Sequence, residues 1–533
     1  MSQIPSRHPR LSRRQAIRAI AGIPVLLAGT ARADPRALLP LDPALQQALA
    51  AFVDDARQAL GVPGAAVVVV QRGDVIFLQG FGVREAGQEA ALTPDTLLMI
   101  GSITKPLTAL LAACLVETGS LTWETRIAEL LPQFRTADQA LTDRLTLDDL
   151  LTMSSGLPSR DPFLFWNAEV LTPDDIVTCF ATTPAVSPVG QSFHYSNEAY
   201  AVAGYAIAAA TAGRTTQSAT AYRQAMQRLV LDPAGMVDST FDPTAHDQGI
   251  VATPHSYDLQ GANRPLPVTL DTRPFALIAP AAGLWSTARD LGALVRTVLM
   301  TAGGENCRGP VSAASLEQLW QPRLAVRDEL AETNGTDYGR GWFIGQTDGG
   351  RTVGHGGSTV GFNANLTLLP EAGVGFAVLT NGAGGQFMAD AVRSWLIDTL
   401  LGREGTAEAD VARAAALTAN RLAVLRSQVT SVDPDTVAPF LGRFSNPNLG
   451  TIVLTLESDK LIVDTGEFRS EARPLRTPIP DGLPLLLVDP AALGGVLRLT
   501  WRDGEAQIIA GSGEFLGGGT EEVFTPLAIP SRR

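Results

Sequence analysis

Ser102 and Lys105 place a hydroxyl and an amine three residues apart, in the segment Ser102-Ile103-Thr104-Lys105. On a helix this spacing puts both side chains on one face, one turn apart. An amine in that position can hydrogen-bond the serine and take its proton, which turns the serine into a nucleophile. The competing interpretation is a serine that caps the helix and a lysine on its solvated first turn.

The scarcity of lysine favours the catalytic interpretation. Lys105 and Lys460 are the only lysines in the sequence, so 39 of the 41 basic residues are arginine. An arginine could not act as a base at position 105, because its guanidinium group does not deprotonate in proteins. The helix N-terminus would add partial positive charge where an acyl oxyanion develops.

Two further segments carry groups suited to a substrate pocket. Tyr195-Ser196-Asn197 precedes an apolar stretch, and Gly354-His355-Gly356-Gly357-Ser358 precedes a strand-like run from Thr359 to Leu369. The glycines would let a substrate approach the backbone closely, as at the edge of a sheet. Taken alone, the first segment is equally typical of a loop with a half-buried tyrosine, and the second of a glycine-rich hairpin.

Together and in this order, the three segments resemble the S-x-x-K, Y-x-N and K/H-x-G motifs of the serine β-lactamase and penicillin-binding protein family. The similarity is to the branch that contains class C β-lactamases and D-alanyl-D-alanine carboxypeptidases, and it extends from about residue 45 to about residue 400. Other stretches that look like this family are Leu150 to Leu157, Gly283 to Thr287 and Tyr338 to Trp342.

The resemblance implies a role for each matching residue. Ser102 would be the nucleophile, Lys105 and Tyr195 would share general base and acid duty, and His355 would complete the catalytic set. The substrate-binding residues that it implies are Asn197, Gly356, Gly357 and Ser358. The backbone N–H groups of Ser102 and Ser358 would form the oxyanion hole. The implied reaction is acylation followed by hydrolysis, with no metal and no cofactor.

His355 is a departure from the family pattern, because dedicated β-lactamases of this type usually carry lysine there. A neutral imidazole binds a carboxylate less strongly than a fixed cation does. The substitution therefore favours peptidase or esterase chemistry over efficient β-lactam hydrolysis. An unperturbed imidazole would titrate near 6.5, so carboxylate substrates are expected to gain affinity on the acid side.

Hydrophobic periodicity predicts the elements that must position these residues. Leu41 to Leu60 and the stretch that begins at Thr104 have helical spacing, whereas Ala65 to Val70 and Val75 to Leu78 are β-rich runs joined by a turn. Strands at both ends of a helical middle predict an antiparallel sheet flanked by helices, plus an all-helical subdomain. This α/β (α+β) sandwich is the expected β-lactamase/transpeptidase-like fold.

The composition changes along the chain predict four segments. They are a leader over 1–33, a serine hydrolase domain over 34–404, a helical linker over 405–430 and a C-terminal domain over 431–533. The last segment is predicted to be a small antiparallel β barrel or sandwich. Its predicted strands are Thr451 to Leu456, Leu461 to Val463, Leu485 to Val488, Val496 to Trp501 and Gln507 to Ala510.

The leader has the features of a twin-arginine export signal. Arg13-Arg14 precedes a moderately apolar stretch from Ala19 to Gly29, and Ala31-Arg32-Ala33 is a small-x-small cleavage pattern. We expect cleavage after Ala33 and delivery to the periplasm or the exterior. An amphipathic basic helix is the alternative, because the apolar run is far shorter than the roughly 20 residues of a membrane span.

The overall charge limits the partners. The formal net charge is −13, which argues against nucleic acid or an anionic membrane as the main partner. Cys114, Cys179 and Cys307 have neither metal-site spacing nor the even number of a disulfide framework. The expected partner is a small-molecule or peptide substrate, while the oligomeric state stays open.

These observations predict an exported serine acyl hydrolase that acts on D-amino-acid peptides or carboxylic esters, with weak hydrolysis or binding of β-lactams as a further activity. A catalytically silent ligand- or peptidoglycan-binding protein of the same fold is the alternative. A Ser-His-Asp hydrolase is disfavoured, because no serine lies in a G-x-S-x-G elbow.

Overall fold

The computed structural model describes residues 38–212, 218–245, 250–304, 309–327, 330, 335–477, 479, 482–502, 504–510 and 522–527. The predicted leader and Cys307 lie outside the described residues, whereas Cys114 and Cys179 are free thiols. Within the described ranges, none of the helices is long and apolar enough to cross a membrane.

The first domain is built on one eight-stranded sheet in the order β2-β1-β12-β11-β10-β9-β8-β7, whose neighbouring strands run antiparallel. The strands before the C-terminal domain are β1 Gly64–Gln71, β2 Asp74–Gly82, β3 Leu98–Met99, β4 His255–Tyr257, β5 Asn263–Pro265, β6 Trp285–Ser286, β7 Leu324–Ala325, β8 Asp337–Tyr338, β9 Phe343–Thr347, β10 Gly350–Ser358, β11 Asn363–Leu369 and β12 Val374–Thr380.

Strand β1 explains why helices cover both faces of this sheet. Its sequence is apolar at nearly every position, and all eight of its residues are buried. Val68 and Val70 belong to the core on one face, while Val67 and Val69 belong to the core on the other, as the two-residue period of a strand requires. An apolar run without alternation therefore forces a helix layer on each side.

The helices are α1 Pro43–Ala59, α2 Thr104–Glu117, α3 Ile127–Leu130, α4 Gln139–Arg144, α5 Leu147–Leu151, α6 Asp161–Asn167, α7 Pro173–Thr178, α8 Asn197–Ala212, α9 Ser218–Met226, α10 Asp232–Ala234, α11 Thr269–Leu277, α12 Ala279–Ala282, α13 Ala288–Ala302, α14 Ala313–Leu319, α15 Gly385–Leu400, α16 Ala407–Gln428 and α17 Pro434–Val437. Helices α1 and α15 pack on one face, and α2 and α8 belong to the core on the other. The predicted antiparallel sheet with flanking helices is confirmed.

One predicted strand was placed wrongly. The run from Thr359 to Leu369 is not continuous, because a turn at 359–362 precedes β11. The glycine-rich segment instead ends its own strand, β10, which pairs with β11 from Val353 to Ser358.

The C-terminal domain is a closed antiparallel barrel of eight strands. They are β13 Gly442–Asn446, β14 Gly450–Glu457, β15 Lys460–Asp464, β16 Arg469–Pro474, β17 Leu483–Leu487, β18 Val496–Arg502, β19 Glu505–Ala510 and β20 Glu522–Pro526. Pairing of β13 with β20 closes the barrel. The predicted small antiparallel β domain is confirmed, and closure leaves it without open edges.

Trp166, on helix α6 of the first domain, is part of the barrel's apolar core. Its ring lies against Phe468 and Phe524, with centroid distances of 5.8 and 5.4 Å. The next residue, Asn167, donates a side-chain hydrogen bond to the carbonyl of Asn448 at 2.9 Å. Helix α6 therefore joins the two domains.

Candidate active site

Ser102 lies in a 3₁₀ turn, Gly101–Ile103, that leads directly into helix α2. The turn keeps the helical spacing, so Lys105 Nζ donates a hydrogen bond to Ser102 Oγ at 2.9 Å. Gly101 has a φ of +52°, and a methyl group there would lie 2.8 Å from the backbone nitrogen of Ser358. A glycine is required at this position, because any side chain would push the turn that carries Ser102 away from strand β10.

The Lys105 ammonium group is fully buried and fixed by two further acceptors. It donates to Asn197 Oδ1 at 2.7 Å and to the carbonyl of Ala281 at 3.1 Å. Burial lowers the pKa of Lys105 to about 7, although the negative charges of Asp161 and Glu198 oppose the shift. A lysine with this pKa is in large part neutral at neutral pH and can accept a proton.

Tyr195 reaches the same point from the other side. Its hydroxyl hydrogen-bonds Ser102, and its ring centroid lies 4.6 Å from Lys105 Nζ. Burial raises the pKa of Tyr195 well above its usual range, so the phenol stays protonated. Of the two groups predicted to share base duty, Lys105 is therefore the one whose pKa suits a base, and Tyr195 suits a hydrogen-bond or proton donor.

Met153 positions the Tyr195 segment. Its carbonyl accepts the His194 N–H at 2.9 Å, and its sulfur accepts the Ser196 N–H at 3.5 Å. Met153 adopts a positive φ of +57°, which is uncommon for a side chain of this size.

The end of strand β10 forms one wall of the site. Strand β9 pairs with β10 from Gly350 to Gly354, so its pairing ends before the segment that follows from His355. Gly357 packs so closely on the turn that carries Ser102 that a methyl group at position 357 would lie 2.0 Å from the carbonyl oxygen of Ile100. The end of β10 therefore lies directly beside the turn that carries Ser102.

His355 is buried in an aromatic cluster rather than exposed to solvent. Its Nε2 lies 3.3 Å from the Tyr338 hydroxyl, and its ring packs edge-on against Phe343 at 4.8 Å. Burial lowers the pKa of His355 to about 3, and the nearby charge of Lys105 adds to the shift. The expectation that His355 titrates near 6.5 is therefore wrong, because its apolar surroundings keep the imidazole neutral.

These residues form one connected site, and the comparisons with known proteins agree with its motifs. The family model described as Beta-lactamase matches residues 49–399, well over half of the chain. The chain belongs to the beta-lactamase family. The resemblance inferred from the three motifs is confirmed, and membership of the beta-lactamase family supports a serine hydrolase activity.

Two curated relatives of the beta-lactamase family illustrate the similarity. Penicillin-binding protein 4 of Amycolatopsis lactamdurans is 30% identical over 339 residues, which is 63% of this chain and 85% of the relative. Protein flp of Staphylococcus aureus (strain MW2) is 25% identical over 340 residues, 63% of this chain and 63% of that protein.

Solved structures share the fold of both domains. The octameric penicillin-binding protein homologue from Pyrococcus abyssi has a TM-score of 0.57 and 22% identity, covering 90% of this chain and 99% of the other. SurE has a TM-score of 0.54 and 21% identity, covering 90% and 99%. At this identity the likeness extends to the fold alone.

Two acidic residues in the site have no counterpart in the beta-lactamase family motifs named above. Asn197 donates its side-chain amide to Asp161 Oδ1 at 3.0 Å, and Glu198 Oε2 accepts the Arg160 N–H at 3.0 Å. Burial, assisted by the charge of Asp161, raises the pKa of Glu198 to about 8. The sequence analysis gave neither residue a role, because nothing in the spacing of Asp161 relates it to residue 197.

No metal-binding cluster of His, Cys, Asp or Glu occurs in the part of the chain that the structure describes. The groups gathered at Ser102 are a hydroxyl, an amine, a phenol, an amide and a neutral imidazole. They suit nucleophilic acyl transfer with proton movement between side chains.

Proposed function

We propose that the chain is a serine acyl hydrolase in which Ser102 forms the acyl-enzyme. The observation that carries the proposal is the 2.9 Å hydrogen bond between Lys105 Nζ and Ser102 Oγ, together with the pKa of about 7 for that lysine. A buried ammonium group with no carboxylate in hydrogen-bond contact destabilises the folded protein. A role in proton transfer explains why such a group is present.

Acylation begins when the neutral Lys105 amine takes the proton of Ser102 Oγ as the oxygen attacks the substrate carbonyl. The Asn197 amide oxygen and the Ala281 carbonyl hold the amine in position, so little reorganisation is needed. Tyr195, protonated and hydrogen-bonded to Ser102, donates a proton to the leaving group and is reprotonated from Lys105.

The oxyanion of the tetrahedral intermediate is stabilised by the backbone N–H groups of Ser102 and Ser358. The close packing of Gly101 on Ser358 supports this pairing, since it brings the two backbone segments together. Loss of a single donor of this kind lowers kcat by about 10² to 10³. Water activated by Lys105 then hydrolyses the ester bond on Ser102.

The proposed substrates are D-amino-acid peptides or carboxylic esters. The neutral His355 supplies no fixed charge for a substrate carboxylate, which argues against efficient penicillin hydrolysis. SurE, whose fold this chain shares, has been solved with D-Leu, so D-amino-acid derivatives belong in the substrate panel.

Covalent labelling tests this proposal. The wild-type protein should gain the mass of a fluorophosphonate at Ser102, located by peptide mass spectrometry, while a folded Ser102→Ala variant should neither label nor hydrolyse. A panel of p-nitrophenyl esters, D-amino-acid p-nitroanilides and penicillins then identifies the class. Binding of these compounds without labelling or turnover would instead support the silent binding protein.

We also propose twin-arginine export, from Arg13-Arg14 and the Ala31-Arg32-Ala33 pattern. Expression with the native leader should yield periplasmic or secreted protein that begins at Asp34. Replacement of Arg13 and Arg14 by lysine should leave the precursor in the cytoplasm. An uncleaved N-terminus on cytoplasmic wild-type protein would contradict the proposal.

A further inference from the structure

Asp271, on helix α11, is a buried carboxylate that the steps described above do not use. Its side chain is fully shielded from solvent, and burial raises the pKa of Asp271 to about 7. A carboxylate in such surroundings destabilises the folded protein unless it accepts hydrogen bonds. The donors that face Asp271 therefore indicate what this side chain contributes to the structure.

The Asp271 carboxylate holds the turn at 359–362, which joins strand β10 to strand β11. The Val360 N–H donates to Asp271 Oδ1 at 2.8 Å. The Thr359 side chain and the Gly361 N–H face the same carboxylate and oppose the rise in its pKa. Because hydrogen bonds to a carboxylate are about twice as strong as neutral ones, three successive donors of this kind fix the path of the turn.

This turn follows directly on Ser358, whose backbone N–H is one of the two proposed oxyanion donors. Ser358 is the last residue of β10, and a methyl group on Gly101 would lie 2.8 Å from its backbone nitrogen. The Ser358 hydroxyl also donates to Oδ1 of Asn363, the first residue of β11, at 2.9 Å. The position of the Ser358 N–H therefore depends on the path of the chain between these two strands.

Asp271 connects the turn to a fixed part of the first domain. Within the turn, the Thr359 and Phe362 backbone N–H groups donate to Phe362 O and Thr359 Oγ1 at 2.9 and 3.1 Å. These internal bonds set the shape of the turn rather than its position. The C-terminal end of α11 is held by the Tyr205 hydroxyl, which donates to the Leu277 carbonyl at 2.6 Å. The carboxylate therefore holds the turn at a defined position relative to α11.

We propose that Asp271 is a positioning residue for the oxyanion hole, because it fixes the turn after Ser358 and so directs the Ser358 N–H toward the reacting carbonyl. The inference rests on the proposed serine hydrolase function. Oxyanion donors stabilise a charge that develops only in the transition state, in acylation and deacylation alike. Loss of Asp271 should therefore lower kcat with little effect on KM.

The test compares Asp271→Ala and Asp271→Asn with the wild type in the full-length protein, with p-nitrophenyl acetate as substrate. Asp271→Ala removes the acceptor of the Val360 N–H and should lower kcat about 10²-fold, the effect of a small misplacement of a catalytic group. KM should stay within about twofold of the wild type. Asp271→Asn keeps an acceptor oxygen for Val360, so its kcat should fall only about tenfold.

A transition-state analogue gives a second measurement. Phenylboronic acid forms a tetrahedral adduct on a serine oxygen, and one oxygen of that adduct would occupy the oxyanion hole. Its dissociation constant should rise in the order wild type, Asp271→Asn, Asp271→Ala, in parallel with the fall in kcat. The endpoint of fluorophosphonate labelling at Ser102 counts the folded active sites, so that each kcat is expressed per labelled site.

Asp290→Ala is the matched control, because Asp290 is also buried and accepts a backbone N–H from another segment, that of Asp238, at 2.9 Å. Its kcat per labelled site should equal that of the wild type. An equally large loss in Asp290→Ala would overturn the positioning role, since general destabilisation would then explain both variants.

The remaining outcomes separate this inference from the proposed function. Wild-type kcat per labelled site in Asp271→Ala would overturn the positioning role while leaving the hydrolase intact. If Asp271→Ala does not fold, wild-type kcat in Asp271→Asn would overturn it in the same way. Absence of any ester hydrolysis and of Ser102 labelling in the wild type would overturn both proposals.

Discussion

Replacement of Lys105 by methionine tests the strongest physical statement about the site, namely that folding forces this amine to lose its charge. The pKa of Lys105 is about 7 in the folded protein against 10.5 for the ordinary side chain. At about 1.4 kcal/mol per pKa unit, the protonated lysine lowers the free energy of unfolding by about 5 kcal/mol at low pH.

The sign of the pH dependence follows from proton binding. Between about pH 7 and pH 10.5 the unfolded chain holds a proton that the folded protein lacks, so stability rises with pH in that window. The cost of Lys105 is then about 5 kcal/mol at pH 6 and about 2 kcal/mol at pH 9. In Lys105→Met this contribution of about 3 kcal/mol to the pH dependence is absent.

The substitution also leaves Asn197 Oδ1 and the Ala281 carbonyl without their donor, at a cost of about 1–3 kcal/mol each. That cost does not change with pH. The decisive quantity is therefore how the free energy of unfolding changes with pH, rather than its value at any one pH. Chemical denaturation of Lys105→Met and wild type should be measured from about pH 6 to about pH 9. A stability difference that stays constant to within about 1 kcal/mol would refute the lowered pKa.

Three other substitutions should give distinct results. Asp161→Asn removes a charge that raises the pKa of Lys105, so the acid limb of the pH–rate profile should move to lower pH, and an unmoved limb would exclude that coupling. His355→Lys places a second ammonium group in an aromatic cluster beside Lys105, so it should lower the melting temperature markedly. An unchanged melting temperature would show that water reaches position 355. Trp166→Ala should cost about 3–5 kcal/mol on urea denaturation, and a loss below about 1 kcal/mol would mean that the barrel core does not depend on this ring.

Local spacing was enough to predict the contact between Ser102 and Lys105. Ser102 and Lys105 are neighbours on one helical turn, so their contact follows from three residues of sequence. Tyr195, Asn197 and His355 are distant in the chain, and only the order of the motifs connected them to Ser102. Their convergence depends on how β10 packs against the turn that carries Ser102 and on how α8 packs against α2, which no local pattern contains.

The lowered pKa of His355, which depends on burial, could not be predicted. The aromatic residues around His355, Tyr338 and Phe343, come from strands β8 and β9, and only the sheet register places them against the imidazole. The expected pKa of 6.5 assumed a solvated ring. The same limitation applied to the hydrogen bond between Asp161 and Asn197.

The barrel strands that were predicted are the apolar ones, such as β18. Strand β16, Arg469–Pro474, carries two arginines and a glutamate and shows no β-type composition. It is a strand because β15 and β17 pair with it on both sides and satisfy its backbone groups. Barrel closure, rather than propensity, determines its conformation.

The insertion of Trp166 into the barrel core has a consequence for how the chain acquires its structure. Trp166 and Phe524 are separated by most of the sequence, so their contact has high contact order and can form only after the last strand has been synthesised. Until the barrel has closed, the ring of Trp166 is more accessible to solvent than in the complete fold. We therefore expect the barrel to be the late-forming unit. Truncation before β20 should leave a folded first domain with an aggregation-prone aromatic surface.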